Sequence, residues 1–512
     1  MLRTARNVCR MVGIARTLAR HDALFPLEIL GLPPALTALA KLASRRGAPG
    51  RPGERLVAAL QTLGPGFIKF GQALSTRPDV IGETMAQDLS NLQDRLPPFP
   101  AAQARATIEA ELGAPLDELF SRFDDEPVAA ASIAQVHFAT TSEGREVAVK
   151  VLRPRIEQAF ARDLKLFYWL AELIERAQPA WRRLKPVEVV RKLAEVVTIE
   201  MDLGLEAAAA SELRENLAED EGLRVPAIDW RRTARRVLTL ERVEGIPIDE
   251  REALVSAGHD LDAIIEKAAR SFFNQVFRDG FFHADLHPGN LFVAPAGDIV
   301  AVDFGIMGRL DRETRRYLAE MLLGFLTGDY VRVADMHFEA DYVPAGKSRD
   351  AFIQACRSIG EPILGRPLHE ISLAQLLGRL FQVTETFAME TQPQLLLLQK
   401  TMVFVEGLGR RLNPEVNIWA LAQPLIEEWV RENLSPEARL RDAAAEGLAA
   451  AQRLPKLLKD AETMLAAGAD GGLKLHPETL RALTQAGARR GAATPLLWAA
   501  LAALALTMAA LL

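Results

Sequence analysis

The sequence predicts an α+β chain of two lobes, a small strand-bearing lobe followed by a helical one. A helical extension precedes them, and one apolar helix closes the chain. Three observations carry this prediction. Short β-prone runs between Ile133 and Val151 interrupt an otherwise helical first half. A second strand-rich stretch, FFHADLHPGNLFVAPAGDIVAVDFG from Phe281 to Gly305, follows a helical run and opens a long helical remainder. The last stretch, PLLWAALAALALTMAALL from Pro495 to Leu512, has no charged residue.

At 512 residues the chain can bury a large core and hold two lobes with extensions. A net charge of −6, with no basic stripe interleaved with aromatics, argues against a nucleic-acid partner. Two cysteines, Cys9 and Cys356, lie far apart and show no metal spacing, which fits a reduced compartment. No pair among the eight histidines has metal-site spacing on a helix. His283 and His287 flank Asp285 and read as structural parts of a nucleotide motif rather than as a zinc site.

Residues 1 to 20 carry five arginines and no acid, with Val8, Met11, Val12, Ile14, Ala15 and Leu18 in a helical pattern. Three readings stay open: a basic helix on an anionic membrane, a transit-like presequence, or an arm with one packed face. Residues 22 to 50 mix apolar and Pro-Gly content. Helical patterns then run from about Glu54 to Leu96, with breaks at Pro65-Gly66 and Pro78. Within them, FIKFGQALSTRPD puts Lys69 and Gln72 on one helix face, and Gly71 permits close backbone approach. The stretch Gln93 to Pro98 reads as a linker.

From about Leu116 the pattern turns to strands. A strand-loop-strand from Ile133 to Thr140 is followed by a Ser-Glu-Gly turn and a strand from Glu146 to Val151 carrying Lys150. A lysine ending a strand VAVKV, after a small-residue loop, is the layout of an ATP-binding lobe. That loop is Ala129 to Ser132, where glycines are expected. Alanine lacks the φ > 0 freedom of glycine, so the loop is expected to be stiffer. Residues 156 to 220 read as helical and place Glu200, Asp202 and Glu206 in one helix. An ATP-site lysine needs a carboxylate from such a helix. Glu200 and Glu206 stand about 240° apart on a helical wheel, so both cannot reach one lysine. The expected solution is Glu206 on Lys150, with Glu200 and Asp202 toward Lys69. Arg235 to Ile248 reads as a strand and a hinge with Gly245, and a helix follows from about Asp260 to Arg278.

In the second strand-rich stretch, Asp285 precedes Asn290 by five positions, and Asp303-Phe304-Gly305 follows thirteen after the Asn. Leu291 to Val293 and Ile299 to Val302 read as a hairpin turned at Pro295 to Asp298. An Asp near the attacking oxygen, with an Asn and a second Asp for Mg²⁺, suits phosphoryl transfer, where catalysis is mostly positioning and charge neutralisation. After Gly305 the pattern goes directly into a helix, with no long activation segment and no Ala-Pro-Glu. Ala284 stands where an Arg usually precedes the Asp, so phosphorylation switching of such a loop has no basis. The remainder to about Ala467 is helical, and Lys400 in its most apolar run reads as a snorkelling residue. At the C-terminus, about 18 apolar residues just suffice to span a bilayer. Arg489, Arg490 and Trp498 suit a tail anchor with the body on the cytoplasmic side. A buried terminal helix is the alternative.

Together, KFGQ, LQDRLPP, AAASIAQVH, VAVK, EMDLGLEAA, LTLERVEG, HADLHPGN and VDFG resemble the UbiB family of atypical kinase-like proteins, which support ubiquinone (coenzyme Q) biosynthesis. The resemblance spans roughly Leu56 to Trp419. It implies a bilobal protein-kinase-like fold, ATP and Mg²⁺ as cofactors, and an N-terminal extension packed over the site so as to disfavour protein substrates. The expected divisions are 1–115 (extension), 116–245 (N-lobe), 246–470 (C-lobe) and 495–512 (transmembrane helix). Carried onto this chain, Asp285 is the catalytic acceptor and Lys150, paired with Glu206, holds the α/β-phosphates. Lys69 and Gln72 reach the pocket, where Lys69 meets Glu200 and Asp202. Asn290 and Asp303 bind Mg²⁺. Ala129, Ala130, Ala131, Ser132, Ile133, Ala134, Gln135, Val136 and His137 cover the nucleotide.

The expected function is that of a kinase or ATPase anchored on the cytoplasmic face of a bacterial inner membrane. Its expected partners are membrane lipids, polyprenylated quinone precursors and other ubiquinone-biosynthesis proteins, with a homodimer as a further expectation. HADLHPGN is also similar to the loop of aminoglycoside and choline kinases, which keeps a small-molecule phosphotransferase open. A nucleotide-gated scaffold is the non-catalytic alternative.

Overall fold

Two small sheets and a short ladder carry the charged residues, and helices surround them. The computed structural model describes residues 2–24, 50–75, 81–90, 92, 96–177, 185–362, 382–384, 386–389, 393–416 and 418–434. All elements discussed below belong to the unit Met1–Arg431, which is distinct from the unit Glu432–Leu512. The expected span Pro495–Leu512 lies outside the described residues. Among the described residues no helix is long and apolar enough to cross a membrane.

The extension consists of α1 (Leu2–Arg20), α2 (Pro52–Leu63), α3 (Pro65–Ser75) and α4 (Glu83–Ser90). The apolar stripe of α1 is used inside the protein: Met11, Ile14 and Leu18 are buried in one core with Leu56, Leu60 and Phe67. Arg10 pairs with Asp163 and donates to the Arg162 carbonyl. Of the three readings of this segment, the packed arm describes that face. Gly71 on α3 sits where any Cβ would run into Leu92 and Leu60, so the close approach seen in the sequence is real.

A helix not anticipated from sequence, α5 (Ala101–Leu112), leads through α6 (Leu116–Leu119) into the first sheet. Its strands are β1 (Phe120–Phe123), β2 (Ala129–Ala130), β3 (Ala134–Thr141), β4 (Glu146–Leu152) and β6 (Val237–Glu241). They run β1-β3-β4-β6, with β2 beside β3, and every pairing is antiparallel. Both faces are buried, as the apolar runs of β4 and β6 require. Ala139, Val147, Val149, Val151 and Val237 pack under α5. Ala134, Ala148, Leu152, Leu238 and Leu240 join the core shared with the extension.

Three helices follow β4: α7 (Ile156–Ala177), α8 (Pro186–Glu200) and α9 (Leu203–Asn216). The last two correct the single acidic helix expected here. Glu200 ends α8, and Asp202 begins α9 as its N-cap, with Oδ1 accepting from the amides of Gly204 at 3.0 Å and Leu205 at 3.4 Å. An exposed helix start needs an acceptor for its free N–H groups, and Asp202 supplies it.

The second sheet runs β5-β10-β9-β7, from β5 (Leu223–Arg224), β7 (Ile246–Pro247), β9 (Leu291–Val293) and β10 (Ile299–Ala301). After α10 (Arg251–Ser256), helix α11 (Leu261–Phe273) loosens into a π-helical turn over Asn274–Asp279. Gly280 ends that turn at φ 66°. The chain then enters β8 (Phe281–His283), which pairs with β11 (Met307–Arg309). This short strand corrects the expectation that the chain passes straight from Gly305 into a helix. Asp311, accepting from Thr314 N at 2.7 Å, starts α12 (Arg312–Thr327) only after β11. Beyond it come α13 (Tyr330–Glu339), α14 (Arg349–Gly360) and α15 (Pro393–Leu412), which packs on α11 and β11.

Candidate active site

The ladder β8–β11 and the hairpin β9–β10 hold the loop Ala284–Asn290 between them. His283 sits fully buried at the end of β8, and its Nδ1 accepts the Asp285 amide at 3.2 Å. His287 Nδ1 accepts from the Gly289 amide at 3.1 Å and starts the turn Pro288–Asn290. Both histidines brace the loop. Asn290 is buried, and its Nδ2 donates to the Asp285 carbonyl at 3.1 Å. With Nδ2 so engaged, Oδ1 is the atom left to meet a cation.

At the far side of the hairpin, Asp303 adopts φ 63°. A left-handed Asp is tolerable because its short side chain bonds local amides, and here Gly305 N donates to Oδ1 at 3.4 Å. The same Oδ1 lies 3.1 Å from Lys150 Nζ. Lys150 in turn donates to both Glu206 oxygens, at 2.8 and 3.0 Å. One ammonium therefore serves two carboxylates, and the cluster carries net charge −1 when all three are ionised.

Their protonation follows from that imbalance. Burial opposes the charge on Lys150, but Asp303 and Glu206 outweigh it and raise its pKa. The Asp303 side chain is about half exposed, and Lys150 outweighs the desolvation of its inner face, holding the carboxyl well below its usual range. Burial pushes Glu206 up, against the pull of Lys150 and with the help of the negative Asp303. A cluster short of one positive charge suits a site that takes a cation. No group of three His, Cys, Asp or Glu side chains able to hold a metal occurs among the described residues.

The second lysine also finds an acid. Lys69 on α3 meets Glu200 at 2.9 Å, with side-chain exposures of 11 % and 7 %. Asp202 does not join them, since its carboxylate caps α9. Gln72 Nε2 donates to the Leu92 carbonyl at 3.3 Å, within the extension.

The run Ala129–His137 divides by face. Register pairs Val136 with Lys150, so Ala134, Val136 and Lys150 share one side of the sheet. Gln135 and His137 point to the other, where Gln135 exchanges hydrogen bonds with the Phe99 backbone at 2.9 and 3.2 Å. His137 bonds Gln135 at 2.8 Å and stacks on Phe123. The expectation that all nine residues cover a nucleotide is corrected for these two. A strand alternates, and these two residues face Phe99 and Phe123 on its other side. Ser132 is buried, while Ala129, Ala130, Ala131, Ile133 and Val136 remain accessible.

Lys400 is a further correction. Its side chain is more than half exposed, yet its Nζ does not run free into solvent but bonds Asp285 Oδ1 at 2.6 Å from α15. Nothing in the spacing pointed to it, because the two residues are 115 apart.

The fold is kinase-like: a strand lysine with a helix carboxylate, above a loop bearing Asp and Asn and a left-handed Asp at the hairpin exit. It departs from the ordinary protein kinase in its alanine loop and in the short passage from Gly305 through β11 to α12. Residues 91–337 match the ABC1 atypical kinase-like domain, and residues 356–417 match the UbiB helical domain. Proteins named probable protein kinase UbiB from Marinobacter nauticus and Azotobacter vinelandii are 47 % and 44 % identical to it. The matches cover 80 % and 91 % of this chain and 76 % and 87 % of theirs. A Mycobacterium tuberculosis protein, Rv3197, whose structure was solved with erythromycin, is 27 % identical with a TM-score of 0.51, over 73 % of this chain and 95 % of its own. The chain belongs to the UbiB family.

Proposed function

We propose that the protein binds Mg-ATP between Lys150 and the Asp285 loop and uses it to support ubiquinone biosynthesis at a membrane, acting on polyprenylated precursors or giving access to them. The observation that carries this reading is Lys150, bonded at once to Glu206 and Asp303 beside Asn290 and Asp285. In this reading Lys150 meets the α/β-phosphates while Glu206 fixes its direction. Asp303 and Asn290 Oδ1 would hold Mg²⁺, whose chemical part is to neutralise phosphate charge. Asp285 orients the hydroxyl or water that attacks. The accessible alanines of the loop approach the nucleotide backbone-first. The apolar sequence Pro495–Leu512 supports a membrane location, where a polyprenylated compound would be met.

The test is complementation of a deletion strain, with ubiquinone and its accumulated precursors measured, beside Mg-ATP hydrolysis by the purified full chain with lipid. Asp303→Asn should abolish hydrolysis and leave precursors unprocessed. If Asp303→Asn restores ubiquinone to the wild-type level, catalysis is dispensable and a scaffold reading replaces this one.

A further inference from the structure

The carboxylate of Asp285 meets a cation that no motif around it supplies. Ala284 has no charge, the rings of His283 and His287 accept backbone amides, and Lys150 is engaged by Glu206 and Asp303. Among the described residues, the cation on Asp285 is Lys400, at 2.6 Å. It arrives from α15, within the stretch matched to the UbiB helical domain, whereas Asp285 lies in the kinase-like stretch.

The root of Lys400 is well fixed. Leu398, Val405, Leu408 and Leu412 of α15 are buried. Beyond them, Arg251 Nε donates to the Leu412 carbonyl at 3.1 Å, Arg411 pairs with Asp249 at 2.5 Å, and Asn413 donates to Asp262 at 2.6 Å. The Lys400 side chain itself is 54 % exposed and that of Asp285 26 %. An ion pair this open contributes little to stability. What it does accomplish is directional, because one carboxylate oxygen is engaged and the other is left to face an acceptor.

We propose that Lys400 is a positioning residue for Asp285. By taking Oδ1 it aims Oδ2 at the attacking hydroxyl or water, so that the helical domain completes the active site. The proposal rests on the reading of Asp285 given under Proposed function. A small misalignment of such a group lowers turnover steeply while leaving nucleotide binding to Lys150 and Asp303.

The experiment compares Lys400→Met, Lys400→Arg, Asp285→Asn and the double variant Asp285→Asn/Lys400→Met in the full chain, by steady-state Mg-ATP hydrolysis. Lys400→Met should lower kcat on the order of 10²-fold, the scale of general acid–base positioning, with KM for ATP within about 2-fold. Lys400→Arg should recover at least about 10-fold of that loss, since the charge and donor return. The double variant should match Asp285→Asn within about 2-fold, because both changes act through one group. Losses that multiply, a KM effect without a kcat effect, or unchanged or raised turnover in Lys400→Met would each overturn the proposal. If Asp285→Asn reduces turnover but Lys400→Met does not, this proposal alone falls. If Asp285→Asn turns over normally, the reading of Asp285 falls and takes the proposal with it.

Discussion

Replacing Lys69 with Met tests what joins the extension to the acidic helices. Lys69 and Glu200 meet at 2.9 Å, and both side chains are almost wholly removed from solvent. Met keeps most of the lysine's apolar length but leaves the Glu200 carboxylate without this partner in a place where water serves it poorly. Removing one member of a buried pair costs about 3–5 kcal/mol. Against a total stability of about 5–15 kcal/mol that is a large fraction. Lys69→Met/Glu200→Gln removes the charge as well and should recover most of the loss. The consequence reaches the site, because Glu200 ends α8 and Asp202 caps the helix carrying Glu206. Urea unfolding followed by tryptophan fluorescence, with nucleotide affinity measured in parallel, should therefore show both quantities falling in the single variant and returning in the double. A single-variant cost below about 1 kcal/mol would mean that the pair behaves as a solvated one. A double variant as unstable as the sum of its parts would mean that the two residues are not coupled.

Two further outcomes follow from the loop's supports. A Cβ at Gly308 would run into the ring of Phe282 across the β8–β11 ladder. Gly308→Ala should therefore cost about 1–3 kcal/mol by overpacking and lower the melting temperature, and an unchanged melting temperature would show that the ladder yields. His283 must be neutral to accept the Asp285 amide, and burial lowers its pKa below 6.5. The unfolded chain then binds more protons below pH 6.5, so this residue's contribution is present above that pH and lost as the pH falls. Glu206, raised to about 7, has the opposite sign, its contribution fading as the pH rises from 4.5 through 7. The unfolding midpoint should fall less between pH 6.5 and 5 in His283→Asn than in the unaltered chain, and equal slopes would remove His283 from the account.

How legible the site was in the sequence depended on the range of each signal. Lys150 stood out because a β-strand lysine between Ala and Val is a local pattern, and the spacing of Asp285, Asn290 and Asp303 is local too. The break between α8 and α9 was equally local, since Asp202-Leu203-Gly204 is an N-cap followed by a poor helix former. Helical composition on both sides masked it. The pairing of two acids with two lysines was expected from a helical wheel, yet the structure separates Glu200 and Glu206 by ending one helix and starting another. Gln135 and His137 could have been sorted from Val136 by the alternation of β3 alone. The Phe99 backbone and the Phe123 ring that receive them flank the α5 helix, which was not anticipated, so the second face of the strand had no partner on paper. Lys400 was beyond reach, because its meeting with Asp285 is decided by the packing of α15 on α11 and β11.

The unexpected Lys400 contact and the expected Lys69–Glu200 pair point the same way. A kinase-like site needs its lysine directed and its catalytic Asp oriented, and the strand-bearing lobe supplies only the first, through Glu206. Under the proposal made for Lys400, the second comes from α15, more than a hundred residues downstream. The end of α8, just before the helix bearing Glu206, is held by Lys69 from α3, well upstream. The segments flanking the kinase-like core are thus bonded to its charged groups rather than merely packed against it. Ala284 and the short passage to α12 take on a physical meaning in that setting. An activation segment orders a site from within the core and can be switched by phosphorylation. Here the lysines that meet Asp285 and Glu200 stand on helices that belong to the body of the protein.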